Sequence, residues 1–68
     1  MDKKFSNNKE IVAIDGTVLS ETVMAIKVDF GFDSPVWLPK SQIEDWPDVG
    51  DFGEILLPEW LAEEKDLI

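Results

Sequence analysis

"TVMAIKVDFGFDSPVWLP", residues 22–39, is the stretch on which the fold turns. Met24, Ile26, Val28 and Phe30 alternate with Ala25, Lys27 and Asp29, the period of a strand that buries one face. "GFDS" (31–34) has the composition of a hairpin loop. "PVWLP" (35–39) reads as the return strand, its prolines suiting a sheet edge or a strand end. The two runs are predicted to pair antiparallel with Met24, Ile26, Val28 and Phe30 facing the core.

Upstream, "EIVAIDGTVLS" (10–20) is β-rich, and its "DG" predicts a bulge or a tight turn. Downstream, "KSQI" (40–43) predicts a short turn in which the Ser41 hydroxyl can bond a backbone amide. "GEILLP" (53–58) reads as another strand and "PEWLAEEKDLI" (58–68) as a helix. Pro58 and Glu59 suit the first turn of that helix. Leu57, Trp60 or Leu61, Glu64 and Ile68 mark its inward stripe. Residues 1–9 are polar and read as a frayed tail, leaving 10–68 as one small domain. The expected fold class is α+β, a strongly bent antiparallel sheet or partly open β-barrel of 4–5 strands with one C-terminal helix.

Composition narrows the chemistry. With no Cys and no His, the chain has neither a disulfide nor the usual zinc ligands, nor the commonest general base near neutral pH. Arg and Tyr are absent too, and no cofactor is expected. Hydrophobic residues make up 44%, enough for a small core and against disorder despite a net charge of −9. No apolar run approaches the length of a membrane span, and the first ten residues lack the pattern of a secretion signal, so a cytoplasmic protein is expected. The charge disfavours direct binding to nucleic acid or anionic lipid, which carry the same sign.

That charge is concentrated. Residues 1–43 hold six acids and five lysines, whereas residues 44–68 hold nine acids and one lysine. Within "EDWPDVGDFGE" (44–54), carboxylates fall at positions 45, 48, 51 and 54. A calcium loop would place ligands at alternating positions, so no specific metal site is expected. A solvated turn is the plainer reading, since "DVGDFG" has ordinary turn chemistry. The third reading is a surface that imitates a nucleic-acid backbone. On an extended loop, carboxylates two or three residues apart recur at about 7–10 Å, near the phosphate repeat.

Trp37 and Trp60 are expected to be core or helix-anchoring residues. Trp46, inside the acidic run, is either a lid over the core or an exposed anchor for a partner. Glu44 with Asp48 is the obvious acid–base pair. So short a chain, however, leaves little room for a substrate pocket, and no enzyme is expected.

At "VWLPKSQIE" (36–44) and "LLPEWLAEEK" (57–65) the chain resembles a set of small acidic proteins encoded by phages and prophages, together over about half its length. Members of that set tend to carry Gly after the last Glu-Lys. Here Asp66 stands there, which predicts a helix that frays rather than one closed by glycine. The resemblance implies an inhibitor of host defence, anti-CRISPR-like, that presents carboxylates to a basic groove meant for nucleic acid. Glu44, Asp45, Asp48, Asp51 and Glu54 would face the partner, with Trp46 or Phe52 as anchor. Glu59, Glu63, Glu64 and Asp66 would extend the negative surface. The competing expectation is an accessory module of phage replication or recombination that docks through the apolar edge of its sheet.

Overall fold

Residues 10–68 are described by a computed structural model, and the tail expected at 1–9 lies outside the described residues. Four antiparallel strands and one short helix follow in chain order. They are β1 (Ile11–Glu21), β2 (Ala25–Asp29), β3 (Val36–Pro39), β4 (Phe52–Pro58) and α1 (Glu59–Glu64), with a 3-10 turn at Lys40–Gln42. The sheet runs β3-β2-β1-β4 and is not closed. No helix among the described residues is long and apolar enough to cross a membrane.

The hairpin read from residues 22–39 forms in the expected register, with Ile26 opposite Leu38 and Val28 opposite Val36. Ile26 and Val28 are fully buried, and Phe30 packs partly buried against the core. Met24 does not: it is 74% exposed. Pairing of β1 with β2 ends at Glu21–Ile26, so residues 22–25 must turn the chain. The Thr22 hydroxyl accepts the Met24 and Ala25 amides at 3.2 and 3.0 Å, closing that turn with Met24 outside it.

β1 is one continuous strand through "DG", contrary to the expected interruption. Its bulge lies further on, between Val18 and Ser20. Gly16 serves a different purpose. A Cβ there would lie 2.7 Å from Val28 Cγ1 and 3.0 Å from Phe30 Cδ1, so the bare backbone lets both side chains settle against β1. The long strand is shared, since Ile11–Thr17 pairs with β4 and Thr17–Glu21 with β2.

The connection from β3 to β4 shows how strongly the sheet bends. β3 lies at one edge, yet Asp45 bridges Leu56 on the far side of β4. Between Pro39 and Asp45 are six steps of chain, three of them in the 3-10 turn. Those steps reach at most about 16 Å, at roughly 2 Å per residue in the turn and 3.3 Å elsewhere. In a flat sheet the gap would be four strand spacings of about 4.8 Å, or roughly 19 Å. The sheet must therefore curl, and the bulge in β1 supplies local twist.

Inside the curl sit Val18, Ile26, Val28, Leu38, Ile55 and Leu57, all fully buried. Each contributes about 1.5–3 kcal/mol by leaving water. Ile43 plugs the region below the connection, and α1 adds Leu61, Ala62 and Leu67. The inward stripe expected for the helix is corrected on two counts: Glu64 and Ile68 are exposed, and Leu67 is the residue that turns in. The helix stops at Glu64, so 3.6-residue spacing no longer applies beyond it.

Nor does that end fray. Asp66 takes φ +61°, its amide donates to Glu63 O at 3.1 Å, and the Leu67 amide donates to Ala62 O at 2.8 Å. That pair of bonds is a Schellman closure, built with aspartate where glycine is usual. Pro58 precedes the first helical residue rather than occupying it. Trp37 and Trp60, expected as core or helix-anchoring residues, are 46% and 39% exposed and so lie outside the core. The inward positions belong to their neighbours Leu38 and Leu61.

Candidate protein-docking surface

The acidic run is strapped to the sheet at three places. At its start, the Glu44 amide donates to Leu56 O at 2.7 Å, and the Leu56 amide donates to Asp45 O at 2.9 Å. These bonds give the free side of β4 a partner. In the middle, Trp46 lies half-buried against the core, and Pro47 rests on β4 at Gly53. A Cβ on Gly53 would meet Pro47 Cγ at 3.0 Å. At its end, residues 48–51 form a β-turn, with the Asp51 amide donating to Asp48 O at 3.0 Å and Gly50 at φ +92°. A positive φ at the third turn position is the geometry that asks for glycine. The turn is tied to β1 by the Gly50 amide on Val18 O at 2.7 Å and the Val18 amide on Asp51 O at 3.1 Å.

Compared with known proteins, the chain matches no family model, no curated protein and no solved structure. What this surface can do is therefore decided by its own chemistry.

Glu44, Asp45, Asp48, Asp51 and Glu54 are all exposed. Among the described residues, the ion pair is Lys40 Nζ to Glu21 Oε2 at 2.9 Å, and none of these five carboxylates takes part in it. Asp45 has a local duty, since its Oδ1 accepts the Trp46 amide at 2.9 Å. The extended spacing expected of a phosphate mimic does not hold throughout. The turn folds Asp48 back toward Asp51, bringing their Cα atoms within about 7 Å. Glu54 has left the loop for β4, where it stands opposite Asp15. Asp15 joins the acidic surface only through that register, so sequence spacing gave no sign of it.

Trp46 packs partly buried against the core, the position expected of a lid. Phe52 stays available at 70% exposure, on the outer face of β4 with Glu54 and opposite Thr17. Val49, in the turn, is 47% exposed. Ser41 makes none of the expected hydrogen bonds to a backbone amide among the described residues; the 3-10 turn is held by the Lys40 amide on Met24 O and by the Ile43 amide on Lys40 O.

The helix acids stand toward the other end of β4. Glu63, Glu64 and Asp66 are exposed, whereas Glu59 is half-buried where its amide donates to Glu10 O at 2.8 Å. The Glu10 carboxylate beside it, with partial burial and then Glu63, raises the Glu59 carboxyl above its ordinary value. About 13 Å of strand separates Phe52 from Leu56. The carboxylates thus form a track from the 48–51 turn, past Glu44 and Asp45, to the start of α1. Among the described residues no three such side chains gather into a metal-ligating group, and no cavity is formed.

Proposed function

We propose that this protein is a binding protein, without catalysis, that occupies a basic, nucleic-acid-binding surface of a host defence complex, such as a CRISPR effector, in the bacterial cytosol. Glu44, Asp48, Asp51 and Glu54 face the partner's Lys and Arg side chains, and the net charge of −9 speeds the encounter. The phage context comes from the resemblance of residues 36–44 and 57–65 to phage-encoded acidic proteins.

The observation that supports this reading most is the strapping of the acidic run. Exposed carboxylates on a backbone bonded to both β1 and β4 have lost their backbone freedom before any partner arrives. Binding then costs less ordering entropy than it would for a loose acidic loop. Docking through a bare sheet edge has less in its favour, because β3 is only four residues long, follows Pro35 and ends on Pro39.

The test is a pull-down from bacterial lysate, read by mass spectrometry, with the native chain and a Glu44→Lys/Asp48→Lys/Asp51→Lys variant. This set spares Asp45, whose carboxylate holds the Trp46 amide. A basic nucleic-acid-binding protein should be captured by the native chain, released by duplex DNA or rising salt, and lost with the variant. Equal capture by the variant would show that these charges do not carry recognition.

A further inference from the structure

We infer that the outer face of the sheet is the anchoring half of this docking surface, and that it takes a basic amphipathic helix of the partner protein. The inference rests on the proposed docking to a basic partner and names what that partner inserts.

Outward positions follow from the register. Val18, Ile26, Val28, Leu38, Ile55 and Leu57 point into the core, so Phe52, Lys27 and Trp37 stand on the opposite face, and Leu19, the unpaired residue of the β1 bulge, is exposed beside them. A sheet with one solvated face ordinarily carries polar residues there. Here Phe52 on β4, Leu19 on β1 and Trp37 on β3 are 70%, 43% and 46% exposed. On β2, Lys27 lies opposite Trp37 with its Nζ 5.9 Å from the ring centroid, which steadies the ring by a cation–π contact. Phe52 faces Thr17, two positions from Leu19, while Lys27 faces Ser20, the next residue. The apolar side chains therefore form a diagonal row, roughly 14 Å across the strands at about 4.8 Å each and about 7 Å along them, or about 16 Å in all.

Charge selects the occupant. Exposed aromatics on a sheet are also a platform for nucleic-acid bases. Around this row, however, stand Asp15, Asp29, Asp48, Asp51 and Glu54, and among the described residues Lys27 is the one cation of the face. Phosphates would be repelled, whereas Lys and Arg flanking an aliphatic stripe would be matched. Helix positions i, i+4, i+7 and i+11 span about 16 Å, which covers the row. A second copy of the chain would bring the same −9 charge onto it.

The experiment is an NMR titration of the full chain at about 0.15 M salt with three probes. They are a synthetic Leu/Lys amphipathic helix, an oligolysine of equal charge and a single-stranded oligodeoxynucleotide. The amphipathic peptide should bind at least about tenfold tighter than oligolysine and shift the amides of Leu19, Lys27, Trp37 and Phe52. Phe52→Ser with Trp37→Ser should bring that ratio near one, while Phe52→Leu preserves it. Equal binding of both peptides, with shifts confined to residues 44–54, would overturn the inference and leave the charged surface standing. Shifts of the sheet face by the oligonucleotide, or by self-association on concentrating the chain, would assign the face to another occupant and overturn it. If neither peptide binds, the docking proposal and this inference fall together.

Discussion

Replacing Gly16 with alanine tests how tightly the Val28 and Phe30 side chains settle against the neighbouring strand β1. The added methyl would sit 2.7 Å from Val28 Cγ1, 3.0 Å from Phe30 Cδ1 and 3.2 Å from Asp29 O. Ordinary carbon contacts lie at about 3.5–4.0 Å. Val28 cannot swing aside easily, because it is fully buried and β-branched, with few χ1 states open to it. Overpacking of this kind costs about 1–3 kcal/mol. Alanine returns about 0.4–1 kcal/mol by restricting the unfolded chain. The net loss is about 1–2 kcal/mol, which for a domain of this size lowers Tm by about 4–16 °C. Thermal unfolding followed by circular dichroism measures it directly. In a Val28→Ala background the tightest of these contacts is gone while those to Phe30 and Asp29 O remain, so the same substitution should cost about 1 kcal/mol less. A Gly16→Ala protein that melts at or above the native temperature would show that the glycine is not there for close approach.

Other perturbations probe the helix end, the charge pair and the acidic run. Asp66→Gly should raise Tm by about 4–8 °C, since glycine takes positive φ at about 1 kcal/mol less cost and a negative charge leaves the helix C-terminus; Asp66→Val should lower it. Because Glu10 raises the Glu59 carboxyl, the folded state holds its proton more tightly than the unfolded one. Stability from this group is therefore lost as pH rises from the ordinary carboxylate value through the folded one, and Glu10→Gln should raise the melting temperature at pH 7 but not at pH 3. Trp46→Ala should cost about 2 kcal/mol as a half-buried lid, while Phe52→Ala stays within about 0.5 kcal/mol. Denaturant titrations of the two separate the roles. A Phe52→Ala loss as large as that of Trp46→Ala would show Phe52 to be a structural residue instead.

Alternation at Ile26, Val28 and Phe30 made the hairpin and its register legible before any coordinates, because a period of two leaves a single face for the core. The pattern overshot at Met24, where composition continues but the Thr22 hydroxyl has already turned the chain. Gly16 misled for the opposite reason. "DG" signals a turn locally, while the need for a bare backbone came from Val28 and Phe30 on other parts of the sheet. The tryptophans erred similarly, since size argues for burial but the parity of Leu38 sends Trp37 outward. At the docking surface, exposure of the acids was legible from composition. The turn at 48–51, the bonds to Val18 and Leu56, and the recruitment of Asp15 were not, as each depends on a partner distant in sequence.

The passage of residues 40–51 from β3 to the far side of β4 has a consequence for how the charged surface comes into being. Its amides bond to Val18 and Leu56, residues that acquire their positions only once β1 has found β4. The carboxylate array therefore exists only while the sheet that anchors it does. A synthetic peptide of residues 44–54 would carry the same charges with none of their arrangement. By the same logic, any event that pries β4 from β1, such as a protease nicking the turn, would scatter the array in one cooperative step. The proposed recognition is thus tied to global folding, and a loss of stability anywhere in the sheet would be felt directly as a loss of the carboxylate array.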